Sequence, residues 1–126
     1  MSELSYIQIN EPVWLDPDRL GTLYFKLGES GADNVICRAM EELAVRLSDM
    51  PKMNSDGDLP KLAKTARSLV GIADQIGMSS LASVAGDVAR CANNHDHAAL
   101  AATMARLQRI GDRSLSAIWD MQDMSV

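Results

Sequence analysis

An apolar seam in the middle of the chain most constrains what it can fold into. Its members recur at spacings of 3, 4, 3, 4 and 3 positions, and they are Leu59, Leu62, Ala66, Leu69, Ala73 and Ile76. Steps of three and four keep side chains on one face of an α-helix, and this heptad period is typical of helices that pack in a bundle. The seam therefore predicts a helix from about Leu59 to Ile76 with one buried face.

The composition supports a helical fold for the rest of the chain. Apolar residues make up 47% of the 126 residues but aromatic residues only 4%, so the core must be built from Ala, Leu, Val, Ile and the eight Met. Such residues favour helices, whereas sheets favour β-branched and aromatic side chains. The length suits one compact domain that can bury its own core.

Capping residues and helix breakers divide the chain into further helices. Asp16 and Pro17 predict the start of a short helix that ends at Gly28, and Pro51 predicts a loop after the next helix. The predicted helices are 17–27, 31–50, 59–76, from Ser79 or Ser80 to about Cys91, and 97–122, the last capped by Asn94 or Asp96. Inward positions of the last helix include Trp119.

Short loops between long helices favour antiparallel neighbours. We therefore predict an all-α fold, an up-down antiparallel four-helix bundle with a short additional N-terminal helix. The bundle domain spans residues 16–126, and residues 1–15 form an N-terminal arm in which Trp14 is expected to anchor the arm to the core.

Several function classes find little support in this sequence. The net charge of −5 disfavours nucleic-acid binding, which needs a basic surface. No apolar run approaches the roughly 18 residues of a membrane span, and the N-terminus lacks an export signal, so a cytoplasmic protein is expected. No nucleophile triad or phosphate loop is evident, and we predict no catalytic residues, cofactor or metal. Cys37 and Cys91 are expected to be buried thiols rather than a disulfide.

Two polar clusters predict ordinary surface structure. His95, Asp96 and His97 lie within one turn, where three ligands seldom converge on one metal ion, so capping is the expected role. A second cluster has charges at helical spacing and predicts a solvated helix face; it consists of Arg38, Glu41, Glu42 and Arg46.

The outer face of the seam helix carries a basic stripe. Arg67 lies about 130° from the mean direction of the seam, and Lys61, Lys64, Ser68 and Gly71 share this outward half. A glycine inside a helix costs about 1 kcal/mol relative to alanine, and here it gains no packing in return. A partner that approaches the helix closely would require a glycine at position 71. Descent from proteins that required one would equally explain why it is present. The stripe itself also fits a solvated face that keeps the bundle soluble.

The same helix resembles the signature helix of histidine phosphotransfer (Hpt) domains. That family has roughly the pattern His-x-Leu-Lys-Gly, with a second glycine six residues after the first, and Leu69, Gly71 and Gly77 match it. The segment 15–20 resembles the family's entry into its first helix, and the segment 94–96 resembles its last turn. The resemblance extends from about Leu15 to Trp119.

The resemblance implies a phosphorelay scaffold whose phosphate site is changed. In the family, an exposed histidine carries the phosphoryl group and a lysine three residues later helps to hold it. Arg67 and Val70 occupy these two places here. A guanidinium stays protonated at neutral pH and cannot attack phosphate.

The function that this resemblance implies is a non-catalytic Hpt-like adaptor. It would bind a receiver domain or a histidine kinase through the stripe formed by Lys61, Lys64, Arg67, Ser68 and Gly71. Two alternatives remain open. One is a structural or oligomerisation bundle without a signalling role, and the other is an active phosphotransfer protein that uses His95 or His97.

Overall fold

The computed structural model describes residues 12–124, with side chains to Gln122, and in this part of the chain it is all-helical, without strands. Its four helices are α1 (Pro17–Ser55), α2 (Leu59–Gln75), α3 (Ser79–Asn93) and α4 (His97–Met124). The prediction of an all-α fold is confirmed. Most of the predicted N-terminal arm, residues 1–11, lies outside the described residues.

The four helices surround one core. Each helix contacts the next along the chain, and α1 also contacts α4, so the helices form a closed ring. All four contribute fully buried side chains, among them Ile36 and Leu43 from α1, Leu62 and Leu69 from α2, Leu81 from α3, and Leu107, Ile110 and Ile118 from α4. Burial of the seam on α2 is therefore confirmed. Burying each large aliphatic side chain contributes about 1.5–3 kcal/mol relative to exposure.

A kink in α1 replaces the predicted break between the first two helices. Gly28 has φ 72° and ψ 173°, which is not helical, and it is flanked by helix on both sides. Across the kink, the Tyr24 hydroxyl donates to Asp33 Oδ1 at 2.7 Å, and Gln122 Nε2 of α4 donates to the same oxygen at 3.4 Å. Burial, followed by this hydrogen bond, raises the pKa of Tyr24 to about 12. The first helical stretch of α1 is therefore tied to the stretch after the kink and, through Asp33, to α4.

The predicted loop at Pro51 is wrong, because α1 continues through Pro51 to Ser55. Proline has no N–H, so the carbonyl of Leu47, four residues earlier, loses its helical partner. Gln108 Nε2 of α4 donates to that carbonyl at 2.9 Å. A side chain from a distant helix thus replaces the missing backbone bond and lets the helix tolerate the proline.

Most of the predicted caps are confirmed. Asp16 Oδ1 accepts from the backbone N–H groups of Asp18 and Arg19, and Asp96 Oδ1 accepts from that of Ala99. The cap predicted at Ser79 or Ser80 is wrong, because Met78 occupies the cap position of α3 without a side-chain bond. The Ser80 hydroxyl instead accepts from the Trp14 N–H at 2.7 Å.

Three burial predictions, those for Trp14, Trp119 and Cys37, are also wrong. Trp14 and Trp119 are each 64% exposed, so neither ring anchors the core. The end of the arm is held through the Trp14 and Asp16 backbones instead, with the Asp16 N–H donating to the Gly77 carbonyl at 2.7 Å. Cys37 is exposed and Cys91 is half-buried, both as free thiols. Trp119 and Cys37 directly follow the buried Ile118 and Ile36, and one residue turns a helix by about 100°.

None of the described helices combines the length and the apolar character needed to cross a membrane.

Candidate docking surface on α2

The orientation of α2 is set at both of its ends. Asp58 Oδ1 accepts from the Lys61 N–H at 3.2 Å, and Pro60 occupies the first turn. At the other end Gly77 has φ 76°, and a Cβ there would lie 2.9 Å from the Asp16 carbonyl oxygen. Only glycine satisfies both conditions without strain. With its seam buried and its ends held, α2 has one defined outward face.

The predicted stripe lies on that outward face. Lys61, Lys64, Arg67 and Gly71 are exposed, and Ser68 is half-buried. Among the described residues, none forms an ion pair with Lys61, Lys64 or Arg67. Their charges are therefore available to a binding partner, as they are also to solvent.

A second arginine joins this face from α1. Arg46 Nε donates to the Ser68 hydroxyl at 3.0 Å, and its Nη1 donates to the Glu42 carbonyl at 3.3 Å. The predicted pairing with the Glu42 carboxylate is long, at 4.0 Å between Nη1 and Oε2. The sequence predicted the local pair because both residues lie on one helix. The contact with Ser68 depends on which helix lies beside α2, and spacing within a helix carries no signal for it.

Open space surrounds Gly71. An ideal Cβ built on it would meet nothing within 4 Å, so the helix backbone is bare there. A cleft of about 330 Å³ lies between α1 and the last turn of α2, and its lining is Asn34, Val35, Arg38, Ala39, Glu42 and Gln75. The surface also contains carboxylates, from Glu42 and from the exposed Asp74 one turn beyond Gly71. Its basic part is therefore centred on Arg46, Lys64 and Arg67.

The two histidines lie elsewhere. His95 and His97 are exposed beside the turn between α3 and α4, and Asp96 caps α4 as predicted. Within the described residues there is no group of three His, Cys, Asp or Glu that could hold a metal ion.

An apolar groove lies between α1 and α4. It measures about 300 Å³, and its lining is Cys37, Met40, Glu41, Ala44, Leu115 and Trp119. The exposed Trp119 ring makes this groove a second candidate surface, because large aromatic side chains are enriched at protein–protein interfaces. Sequence periodicity had assigned Trp119 to the core.

Comparison with protein-family models, with curated protein sequences and with solved structures found no match to this chain. The resemblance to the Hpt family therefore rests on the residues of the chain itself.

Proposed function

We propose that the protein is a non-catalytic Hpt-like adaptor of two-component phosphorelay signalling, which binds a receiver domain or a histidine kinase without carrying phosphate. The observation that carries this proposal is the exposed Arg67 at the pattern position of the histidine, one turn from the bare backbone of Gly71. The closed ring of helices fits the up-down antiparallel bundle that the proposal includes, with residues 17–27 as its additional helical segment. A cytoplasmic location belongs to the same proposal.

The chemistry of the surface favours binding over phosphotransfer. A permanently protonated guanidinium is a poor nucleophile but a strong partner for carboxylates, to which it donates paired hydrogen bonds. The active site of a receiver domain is a cluster of carboxylates. Arg67 placed against that cluster would neutralise it and would block access of a phosphoryl donor, so binding would sequester or inhibit the receiver.

Calorimetric titration of Arg67→Glu tests the docking role. Purified receiver domains encoded in the same genome are titrated into the wild type and into the variant. Loss of a charge-assisted pair plus new repulsion is expected to weaken binding by roughly 2–5 kcal/mol. Since Arg67 is exposed and unpaired with described residues, stability should change by no more than about 0.5 kcal/mol.

Lys26→Glu is the matched control, because Lys26 is an exposed cation on the first stretch of α1 and is not part of the stripe. It makes the same change in net charge and should bind receivers like the wild type. Equal affinity of the wild type and Arg67→Glu for receivers would show that Arg67 takes no part in docking.

Phosphotransfer is tested by incubating the protein with phosphorylated receivers. We expect no acid-labile phosphate on the protein, because Arg67 cannot accept it and Val70 cannot hold it. Phosphate mapped to His95 or His97 would contradict the adaptor proposal and would show that the protein is an active phosphotransfer protein.

A second candidate function is a self-associating bundle without a signalling role. The apolar groove beside Trp119 favours it, since an exposed tryptophan at the rim of a groove can be buried by another molecule. Sedimentation of the wild type, Trp119→Ser and Arg67→Glu separates the two functions. An oligomer that only Trp119→Ser dissociates, together with no binding to receivers, would favour this second function.

A further inference from the structure

We infer that the docking surface extends onto α1, and that Arg46 and Arg67 flank the bare backbone at Gly71 as two guanidiniums that together bind a carboxylate cluster of a protein partner. This inference rests on the proposed function and adds a recognition residue to it. The docking residues that the Hpt resemblance implies all lie on α2, and Arg46 is not among them.

The geometry of α2 puts the two arginines on opposite sides of Gly71. Successive residues of a helix are separated by about 100°, so Arg67 and Ser68 point in clearly different directions. Gly71 lies one turn further on, at an angle between them. Arg46 is hydrogen-bonded to Ser68, so the Arg46 guanidinium lies on the side of Gly71 that faces α1. Arg67 lies on the opposite side of Gly71.

Arg46 is held in place before any partner arrives. Bonds from Nε to Ser68 and from Nη1 to the Glu42 carbonyl hold its guanidinium against both helices, and its side chain is only 34% exposed. In the described part of the chain, no bond is made by its Nη2, which remains a free donor. A guanidinium that is already ordered loses less conformational entropy on binding than a free one. Arg46 therefore supplies a fixed orientation, while Arg67 supplies an exposed charge that forms no ion pair with described residues.

The charges around this pair identify the partner by its chemistry. Lys64 adds a third cation to the same face, whereas Glu42, whose Oε2 lies 4.0 Å from Arg46 Nη1, and the exposed Asp74, one turn beyond Gly71, add two carboxylates. Two guanidiniums with an open glycine between them suit a partner that brings two or more carboxylates close to a helix backbone. A protein loop or pocket with clustered Asp or Glu side chains has this property, and a receiver active site is one example.

Two variants test the inference, with the same purified receiver domains as the probe. Arg46→Gln removes the charge, and Ser68→Ala keeps the charge but removes the hydrogen bond that holds Arg46 Nε against α2. We expect each to weaken binding about tenfold, which corresponds to about 1.4 kcal/mol. The dependence of affinity on salt should become less steep in Arg46→Gln, because a charge is lost, and should change little in Ser68→Ala.

Arg90→Gln is the matched control. Arg90 forms an ion pair with Asp87 on its own helix, and Asp87 also lies 3.9 Å from Arg106 of α4, so this pair faces α4 rather than α1. It should bind like the wild type. Thermal melts of all variants verify folding.

The outcomes separate the inference from the function on which it rests. Weaker binding of both Arg46→Gln and Ser68→Ala, with Arg90→Gln unchanged, supports the two-helix surface. A second outcome is that receivers bind the wild type and that Arg67→Glu lowers the affinity, while Arg46→Gln and Ser68→Ala bind like the wild type. In that case the inference fails and the proposed adaptor function stands. If no receiver binds the wild type, the receiver-binding form of the proposed function fails and the inference falls with it.

Discussion

Two glycines inside helices should respond in opposite directions to the same substitution. Gly71 of α2 and Gly111 of α4 both have ordinary helical backbones, so an alanine at either place gains helix propensity, about 1 kcal/mol at most. At Gly71 a new Cβ would meet nothing within 4 Å. At Gly111 it would lie 2.7 Å from Leu47 Cδ1 and 3.3 Å from Cδ2. The two surroundings therefore predict opposite signs.

The magnitude at Gly111 follows from how far Leu47 can retreat. Leu47 is 5% exposed and packs in the core, so relieving a 2.7 Å contact must displace its neighbours. Overpacking of this kind costs about 1–3 kcal/mol, which exceeds the gain in helix propensity. We expect Gly71→Ala to raise the free energy of unfolding by about 0.5–1 kcal/mol and Gly111→Ala to lower it by roughly 1–2 kcal/mol.

Urea unfolding monitored by circular dichroism measures both changes. Gly86→Ala is a further control, because its Cβ would also meet nothing within 4 Å, and it should behave like Gly71→Ala. In a double-mutant cycle, shortening Leu47 to Val should reduce the cost of Gly111→Ala. An increase in the free energy of unfolding at both Gly71 and Gly111 would show that α1 and α4 are not packed as closely as the structure has them.

Two further predictions concern hydrogen bonds between distant parts of the chain. Tyr24→Phe should cost about 1 kcal/mol at neutral pH by removing the bond to Asp33. Because the pKa of Tyr24 is raised from 10.0 to about 12 in the folded protein, its contribution is complete below pH 10 and is lost as the pH rises through 12. Alkaline unfolding should therefore be less steep in the variant, and identical pH profiles would contradict this. Gln108→Ala should cost about 1–3 kcal/mol by leaving the Leu47 carbonyl unpaired. The cost should be smaller in a Pro51→Ala background, where residue 51 regains its N–H. Equal costs in the two backgrounds would show that Gln108 does not replace the backbone bond that Pro51 cannot make.

Local sequence rules were sufficient wherever one helix decides the outcome. The confirmed predictions of this kind are the buried seam on α2 and the caps at Asp16 and Asp96. Each depends on residues within a turn or two of one helix, and the structure agrees with each. The failures have a different origin. Pro51 stays helical because of Gln108, which is far away in the sequence, and Ser80 is used by Trp14 rather than by its own helix. Contacts between elements decided these cases, and helical periodicity does not describe them.

The same limit applied to the candidate surface. Periodicity placed Lys64, Arg67 and Gly71 on the outward face of α2, and their exposure agrees. It did not associate Arg46 with them, because that association depends on α1 lying beside Ser68. Periodicity also assigned Trp119 to the core, although neighbouring Ile118 takes the inward position and leaves the indole exposed. A one-residue error in phase is enough to turn a core residue into a surface residue.

The net charge of the chain gives the basic surface a further consequence for specificity. The chain carries −5 in total, so most approaches by an acidic partner are repelled, and the face with Arg46, Lys64 and Arg67 is an exception. Opposite charge on one face orients a partner during encounter, and like charge elsewhere disfavours other orientations. The Debye length is about 8 Å at physiological ionic strength, so this selection acts only when the partner is already close to the surface. An acidic partner that docks against Arg46, Lys64 and Arg67 would also lie beside the bare backbone at Gly71, so charge and shape would select the same docking site.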